Sequence, residues 1–363
     1  MKILKMKKTN NGKEIRVLYL GNFKVSHYPR GRTLYNGLLK NGISTELLLA
    51  NSFFGYVKMF FKLIKRNYDV LLVTGKPVFL LAFFLKFWHR KKIIFDVFIS
   101  DYENLVLNRK IIKKDSIFAS LIWWLDKYSC QFSDYSILDT MHHVDYFCRN
   151  YNLNKKKFYV IFVGADEEFF YPRKKNKKDT TFRVVFYGSF MPGHGIDIIL
   201  KAAKILEKEN VKIDLIGKGQ LYDKMVLLSK ELNNDNVNFL GWIDYKELPK
   251  KIAEYDACLG LFDSHIPKVK RVIPTKVFEI MAMEKTCITG QNNAMTFYFK
   301  NKENIILSKM GSPSSLAKEI KWAYYNQKDA NQISKRSYML FKEKFSSVKI
   351  GSKLKEVILK YVL

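Results

Sequence analysis

The stretch VVFYGSFMPGHGIDIILKAAKILEKEN, residues 184–210, decides the fold class of this chain. A run of β-branched and aromatic residues ends at a glycine, and a pattern with helical periodicity follows it. Residues 212–220, KIDLIGKGQ, repeat the strand pattern and end in Gly-x-Gly. Strands that end in glycine and lead into helices leave backbone N–H groups directed at whatever binds there. This arrangement favours a phosphorylated ligand.

Strand and helix patterns alternate through most of the chain, from IRVLYLGNF at 15–23 to TCI at 286–288. Such alternation predicts mainly parallel sheets wrapped by helices. The lysine-rich, polar stretch 173–181 lacks periodicity and interrupts the alternation, which is typical of a linker. We therefore expect an α/β protein with two doubly wound, Rossmann-like domains that face each other across a ligand cleft. The expected boundaries are 1–172, the linker 173–181, and 182–345.

Length and cysteine usage limit the class of protein. A chain of 363 residues with 48% hydrophobic content is sufficient for two cores. The four cysteines are scattered and no histidine has metal-ligand spacing, so we expect neither disulfides nor a metal site, in a reducing cytoplasm. The sequence shows no signal-peptide core and no apolar window of about 18 residues. We therefore expect a chain that is neither secreted nor membrane-spanning.

The net charge of +29, from 63 Lys and Arg against 34 Asp and Glu, indicates an anionic partner. Nucleic acid, nucleotide phosphates and anionic lipid all fit this charge. A lysine-rich proteome is the alternative source of the excess. The lysines are spread along the chain without a nucleic-acid recognition motif, so we do not expect a nucleic-acid partner.

Residues 53–66 combine aromatic residues with lysines. On a helix they form a broad aromatic face bordered by lysines, as in helices that lie at a membrane interface. The alternative is an ordinary helix packed on its own sheet. Together with the net charge and the apolar run 78–92, the pattern predicts peripheral attachment to the inner, anionic face of the cytoplasmic membrane.

The order of motifs resembles the family 4 retaining glycosyltransferases, which have the GT-B fold. The motifs are VIFVGADEEFFYP at 160–172, FYGSF, HGID, DLIGKGQ, NVNFLGW and IPTKVFEIMAM at 273–283. The resemblance covers nearly the whole chain. It implies that the first domain faces the acceptor, that the second binds the donor, and that residues 346–363 form a helix packed back on the first domain.

The resemblance also implies a reaction. A sugar moves from a UDP- or GDP-sugar to a glycan or to a polyprenyl- or other lipid-linked acceptor, in synthesis of cell-surface polysaccharide or glycoconjugate. The leaving diphosphate takes the acceptor proton, and the protein stabilises the developing phosphate charge. No cofactor and no metal are expected, in agreement with the absence of an Asp-x-Asp motif.

On the donor side, Glu279 stands where the family places the second Glu of its Glu-x7-Glu element, and its carboxylate can accept hydrogen bonds from ribose hydroxyls. Thr275 and Lys276 stand beside it, as donor-binding residues. Arg271 occupies the place of the first Glu, where its guanidinium can hold the diphosphate. A solvated basic loop is an equal alternative for Arg271.

Two more positions depart from the family pattern. Ser189 and His194 stand where many relatives have Arg and Lys, and His194 can donate a hydrogen bond or carry charge when protonated. Backbone amides then supply more of the phosphate binding. These departures leave a non-catalytic GT-B-like scaffold or partner subunit as the alternative function. The remaining expected donor contacts are Gly188, Gly195, Gly217, Gly219, Gly21 and Asn22.

On the acceptor side, His27 and Arg30 lie in the loop after the first strand and are expected to face the acceptor or the leaving phosphate. A plain surface loop is the alternative. Asp96 and the segment 139–143 follow two later strands, so they face the cleft. Among these polar residues we expect His143 and Asp96 to be catalytic, with a helix cap or a core polar group as the alternative role.

Overall fold

The computed structural model describes residues 15–23, 28–65, 67–175 and 180–362. They form two compact units. Unit 1 contains the described residues up to Gly164 together with those from Ser347 onward, and unit 2 contains Ala165–Ser346. The described part of the predicted linker therefore lies inside unit 2. It is anchored there because Lys175 Nζ pairs with Asp256 at 2.7 Å.

Unit 1 is built on a parallel sheet of six strands within the described residues, in the order β2-β1-β3-β4-β5-β6. β3 is buried along its whole length, as expected for a central strand covered on both faces. The strands are β1 (Arg16–Gly21), β2 (Ser44–Leu49), β3 (Val70–Thr74), β4 (Lys92–Asp96), β5 (Tyr135–Leu138) and β6 (Phe158–Val160). The helices are α1 (Pro29–Lys40), α2 (Phe53–Lys65), α3 (Lys76–Phe84), α4 (Lys86–His89), α5 (Ile117–Phe132) and α6 (Met141–Tyr151).

Unit 2 repeats this plan with a second parallel sheet, in the order β12-β11-β10-β7-β8-β9 across the described residues. Its strands are β7 (Phe182–Tyr187), β8 (Val211–Ile216), β9 (Val237–Gly241), β10 (Ala257–Leu259), β11 (Thr286–Gln291) and β12 (Ile306–Lys309). Its helices are α7 (Ile196–Ile205), α8 (Tyr222–Glu231), α9 (Leu248–Ala253), α10 (Thr275–Ala282), α11 (Asn293–Tyr298), α12 (Pro313–Tyr325) and α13 (Gln327–Leu340).

The last helix, α14 (Ser347–Val362), packs on α1 in unit 1. The two helices approach closely because each has a glycine at the contact. A Cβ atom on Gly351 would stand 2.1 Å from the backbone of Gly37, and one on Gly37 would stand 2.5 Å from the carbonyl oxygen of Ser347. Lys40 adds a hydrogen bond from Nζ to Ser347 Oγ at 2.8 Å.

The predicted elements differ from the structure in detail. The apolar run 78–92 does not form one continuous helix, because α3 ends at Phe84 and α4 begins at Lys86, with Leu85 between them. A π-helical segment, Tyr102–Asn108, follows β4 where the sequence indicated no element. None of the described helices is both long and apolar enough to cross a bilayer.

Candidate functional site

The loops that follow β7 and β8 touch each other through their backbones. Gly217 has φ = 134°, and a Cβ atom there would stand 2.0 Å from the carbonyl oxygen of Gly188, whose own φ is 139°. Only glycine combines this backbone with so close an approach. Gly195 and Gly219 are crowded by neighbouring backbone as well. The carboxyl edge of this sheet therefore presents backbone at the place where the sequence predicted phosphate binding.

The ammonium group of Lys276 is buried beside this glycine loop. Its Nζ lies 3.1 Å from where a Cβ atom on Gly188 would be, and 3.7 Å from the centre of the Phe186 ring. Nζ has no hydrogen-bond partner among the described residues. Burial lowers the pKa of Lys276 from 10.5 to about 7, and Glu279 offsets part of that effect. A buried cation that lacks an acceptor is costly, so this position favours an anionic ligand.

Glu279 lies one turn further along α10, on the same face as Lys276. Its side chain is buried, and Tyr245 Oη donates a hydrogen bond to Oε1 at 3.3 Å. Tyr187 Oη donates to the carbonyl of Lys276 at 3.3 Å. Burial raises the pKa of Tyr187, and the charge of Glu279 raises it further. The Tyr187 hydroxyl therefore keeps its proton. The sequence analysis assigned no role to either tyrosine, although Tyr187 lies in the FYGSF motif; Tyr245 belongs to none of the motifs.

The sequence left His194 open as a hydrogen-bond donor or as a cation, and the structure does not favour the cation. Burial lowers its pKa to about 3, and the charge of Lys276 adds to the effect, so the ring is neutral at pH 7. Its Cε1 lies 4.0 Å from the position of a Cβ on Gly188, and Nδ1 has no hydrogen-bond partner in the described part of the chain. His194 thus offers a neutral imidazole beside the glycine loop. Ser189 lies partly exposed in that loop.

Arg271 and Thr275 lie at the start of α10. Arg271 follows the 3₁₀ turn Pro267–Lys270, and its Nη1 donates to the carbonyl of Pro267 at 3.2 Å, within its own turn. Thr275 is the first residue of α10, after the N-cap Pro274. The donor contacts expected of Arg271 and Thr275 stay predictions.

In unit 1, Arg30 and Asp96 form a buried ion pair at the carboxyl edge of the sheet. Arg30 Nε donates to Asp96 Oδ1 at 2.7 Å, and Nη1 donates to the carbonyl of Ile161 at 2.8 Å. The hydroxyls of Tyr28 and Thr74 each donate to Asp96 Oδ2 at 3.2 Å. Burial alone would lower the pKa of Arg30, but Asp96 and its neighbours outweigh burial and raise it.

This geometry places two predicted residues. Arg30 is not in a surface loop, because it is a buried residue in the first turn of α1. Both oxygens of Asp96 accept hydrogen bonds from protein donors, so Asp96 holds Arg30 in position, and its catalytic role stays a prediction. Arg30 Nη2 is buried with no hydrogen-bond partner within the described ranges. The guanidinium therefore keeps one donor for a ligand.

His143 lies in the first turn of α6, fully buried. Thr140 caps the helix by accepting a hydrogen bond from the His143 backbone N–H at 3.2 Å. The ring Nδ1 pairs with Asp139 Oδ1 at 2.8 Å, which makes Nδ1 the proton-bearing nitrogen and Nε2 an acceptor in the neutral ring. Nε2 has no partner among the side chains that the structure describes. This pair has the geometry of a base held in one tautomer, and the catalytic role of His143 stays a prediction.

Gly21 ends β1 and Asn22 follows it. Asn22 Oδ1 would lie 1.9 Å from a Cβ on Gly75, which has φ = 95° and follows β3. The loops after these two neighbouring strands therefore meet, and the sequence analysis missed the part played by Gly75. His27, predicted on the acceptor side, lies outside the described residues.

A family profile described as glycosyl transferases group 1 matches residues 167–339. Residues 167–339 belong to that family. The chain is therefore a glycosyltransferase. This range contains the glycine loops of unit 2, Lys276 and Glu279, whereas Gly21 and Asn22, which were also predicted to contact the donor, lie outside it.

The glycosyltransferase is also similar to known proteins over most of its length. It is 22% identical over 340 residues to chitobiosyldiphosphodolichol beta-mannosyltransferase of Debaryomyces hansenii. The aligned region covers 84% of this chain and 68% of the relative. HepE of Anabaena, solved with UDP and glucose, has a TM-score of 0.72 at 14% identity and covers 96% of this chain and 100% of HepE. Sucrose-phosphate synthase of Thermosynechococcus elongatus has a TM-score of 0.73 at 14% identity, with 96% and 99% covered. These likenesses confirm the predicted GT-B fold.

Proposed function

We propose that this glycosyltransferase is a retaining enzyme that moves a sugar from a nucleotide-diphosphate sugar to a glycan or lipid-linked acceptor. The observation that carries the proposal is the ammonium of Lys276, which is buried against Gly188 with no hydrogen-bond partner among the described residues. A diphosphate beside the glycine loop supplies the missing acceptor. Glu279, on the same face of α10, takes the ribose hydroxyls.

In the proposed reaction the bond between the anomeric carbon and the diphosphate oxygen breaks, and the acceptor oxygen bonds to the same carbon from the same face. The acceptor proton passes to the leaving diphosphate. Lys276 stabilises the charge that develops on the phosphate, together with backbone N–H groups of the loops after β7 and β8 other than those of Gly188 and Gly217, which donate to the carbonyls of Ile216 and Gly241. The diphosphate raises the proton affinity of Lys276, whose pKa is about 7 without it, so the ammonium is charged when it is needed.

Two polar atoms of unit 1, Arg30 Nη2 and His143 Nε2, have roles in the proposed reaction. Both are buried and lack hydrogen-bond partners in the described ranges. Asp139 fixes the tautomer of His143, and Asp96 fixes the position of Arg30. We assign His143 to a hydroxyl of the transferred sugar or of the acceptor, and Arg30 to the acceptor or leaving phosphate.

The named relatives support the substrate classes. HepE was solved with UDP and with UDP-glucose, which supports a nucleotide-sugar donor. The relative from Debaryomyces hansenii is a mannosyltransferase whose name contains a diphosphodolichol-linked sugar, which supports a lipid-linked acceptor. We assign the enzyme to the inner face of the cytoplasmic membrane on the basis of its net charge. The proposed role is synthesis of cell-surface polysaccharide or glycoconjugate.

Donor binding tests the proposal directly. Thermal shifts measured with UDP, GDP and their sugars should identify a nucleotide that stabilises the protein. The Glu279→Gln variant should bind that nucleotide about 10-fold or more weakly. Glu247→Gln, at an exposed position paired with Lys250, is the matched control and should bind as the wild type does. Equal affinity of the two variants would remove the ribose assignment.

Two further measurements test the mechanism. Proton NMR of the first product formed should show the same anomeric configuration as the donor, and the opposite configuration would overturn the retaining mechanism. The anomeric configuration of the product is informative because the relative from Debaryomyces hansenii is named as a beta-mannosyltransferase. Activity should survive chelation by EDTA, and loss of activity that magnesium restores would contradict the metal-free reaction.

A further inference from the structure

Helix α5 exposes six of its large side chains, whereas the residues that it buries fully are small or polar. The buried residues are Ala119, Asp126, Ser129 and Cys130. At about 100° per residue, Ile117, Leu121, Trp124 and Tyr128 fall in a stripe about 60° wide on the opposite side. The exposed fractions along the helix are Ile117 87%, Phe118 70%, Leu121 53%, Trp124 44%, Tyr128 38% and Phe132 43%.

A buried ion pair fixes which side of α5 faces inward. Asp126 pairs with Lys76 Nζ at 2.7 Å and accepts a hydrogen bond from Ser100 Oγ at 2.7 Å. Its carboxylate also accepts hydrogen bonds from the backbone N–H groups of Asp101 and Tyr102. Rotating the helix to bury the apolar stripe would expose or break all of these contacts. The outward stripe is therefore built into the fold.

The exposed rings are stacked rather than loosely arranged. Tyr128 lies between Trp124 and Phe132, at centroid distances of 5.1 and 5.2 Å, and Phe132 stacks on Phe83 of α3 at 5.1 Å. Lys127 places its ammonium 5.4 Å from the Trp124 ring. A surface of rigid, stacked aromatic rings loses little conformational entropy when it is covered.

Neighbouring helices extend this apolar surface. The connections β2 to β3, β3 to β4 and β4 to β5 advance in the same direction across the sheet, so their right-handed crossovers put α2, α3, α4 and α5 on one face. We call the exposed side chains on these helices the aromatic face. Besides the stripe on α5 it comprises Phe53 (78% exposed), Phe54 (81%), Phe61 (59%), Phe84 (74%), Phe87 (87%) and Trp88 (53%).

The part of the chain that carries the aromatic face exposes mainly positive charge. Between residues 53 and 132, Arg66 aside because it lies outside the described residues, seven exposed side chains are cationic and only Asp115 is an exposed carboxylate. The exposed cations are Lys58, Lys65, Arg90, Lys92, Lys110, Lys113 and Lys114.

We propose that the aromatic face, centred on α5, is a docking surface for an anionic lipid bilayer. Tryptophan and tyrosine favour the lipid headgroup region, and lysines beside them attract anionic lipid. The net charge of +29 disfavours a second copy of this chain as the occupant, because two such copies repel each other. The proposal extends the membrane part of the proposed function from α2 to a surface formed by four helices, α2 to α5, and it does not depend on sugar transfer.

Vesicle flotation tests the proposal. The wild type should float with phosphatidylcholine vesicles that contain phosphatidylglycerol, and less with phosphatidylcholine alone or at high salt. The double variant Leu121→Gln and Trp124→Gln keeps good helix formers at exposed positions, and its binding should be weaker by about tenfold or more. The matched control is Phe297→Gln on α11 of unit 2, where the ring is 66% exposed, and this control should float as the wild type does.

Fluorescence quenching by brominated lipids tests membrane contact at single residues. They should quench the fluorescence of Trp88 and Trp124, and the quenching should fall when both are replaced by phenylalanine. No flotation of the wild type, or equal flotation of the α5 variant, would overturn the proposal. A dimer seen by sedimentation that the α5 variant dissociates, without vesicle binding, would assign the face to a second copy instead. The α5 variant should show the same thermal shifts with nucleotides as the wild type, which would show that its loss of vesicle binding does not arise from damage to the donor site.

Discussion

Replacing Lys276 by methionine should stabilise the ligand-free glycosyltransferase and weaken its binding of nucleoside diphosphates. Lys276 is 8% exposed, and its Nζ has no hydrogen-bond partner in the described part of the chain. Methionine keeps the length of the aliphatic stem and removes the charge. The variant therefore separates the cost of a buried cation from the benefit that the cation brings to a ligand.

The size of the stabilisation follows from two opposing effects. A pKa that falls from 10.5 to about 7 corresponds to about 5 kcal/mol of destabilisation while the group is charged. The ammonium gains back about 2 kcal/mol over the face of Phe186, at 3.7 Å from its centre. Desolvation wins, and the net gain expected for Lys276→Met is about 3 kcal/mol, or roughly 6–12 °C in the melting temperature.

The gain should depend on pH. In the folded state Lys276 loses its proton near pH 7, while in the unfolded state it keeps the proton up to about pH 10.5. The unfolded state thus binds more protons between these values, so the cost is full below about pH 7 and disappears as the pH rises toward 10.5. The difference in melting temperature between variant and wild type should shrink from about pH 6 to about pH 9.

Calorimetry measures both halves of the prediction. Melting curves at several pH values give the stability, and titration with UDP and GDP gives the affinity, which should fall by about 10- to 100-fold in the variant. Above pH 7 the wild type should take up a proton on binding, seen as a dependence of the binding enthalpy on the buffer. Lys250→Met, at an exposed lysine on α9, is the control and should change neither quantity.

Two results would refute the reasoning. A lower melting temperature for Lys276→Met at pH 6 would mean that the ammonium has protein partners that the geometry does not include. Undiminished affinity for every nucleoside diphosphate that stabilises the wild type would mean that Lys276 does not contact the phosphates.

Three other substitutions have defined outcomes. Asp139→Asn should lower turnover by about 10- to 100-fold with little change in donor affinity, because it removes the group that fixes the His143 tautomer, as steady-state kinetics would show. Gly217→Ala should destabilise unit 2 and abolish nucleotide binding, because its Cβ would lie 2.0 Å from the Gly188 carbonyl oxygen, as melting and titration would show. Gly351→Ala should lower the stability of unit 1 by about 1–3 kcal/mol by separating α14 from α1, as denaturant titration would show.

Each of these substitutions has a matched control. Asp145→Asn, on the same helix α6 as His143, removes a carboxylate that pairs with Lys155 at the surface and should leave turnover intact. Gly241→Ala meets no atom closer than 3.9 Å, so any loss beyond its backbone strain would show that crowding is not the cause. Ser352→Ala, next to Gly351, should leave unit 1 unchanged, and an equal loss there would contradict the helix contact.

The sequence predicted those features that depend on residues close together in the chain. The strands ending in glycine and the spacing of Lys276 and Glu279 on one helix face are of this kind. The pairing of Arg30 with Asp96 was not predictable, because the partners lie 66 residues apart. The sequence left the charge state of His194 open, because the burial that lowers its pKa comes from residues distant in the chain.

Helix α5 shows a second limit of sequence reasoning. Its apolar pattern is typical of a helix that packs into a core, and hydrophobic periodicity alone cannot tell which side faces inward. The decision rests on Asp126, which is held by Lys76 from another helix. The sequence shows that a carboxylate lies in the middle of an apolar helix, but it does not show that the carboxylate is buried or which residue pairs with it.

The packing of α14 on α1 also affects how the protein is made. Unit 2 is inserted between two parts of unit 1, and α14 is translated after the whole of unit 2. During synthesis, unit 2 can complete its sheet first, while α1 still presents the surface around Gly37 that α14 later covers. The nascent chain therefore exposes one glycine-lined helix surface of unit 1 until translation passes residue 347, and a chaperone has that interval in which to cover it.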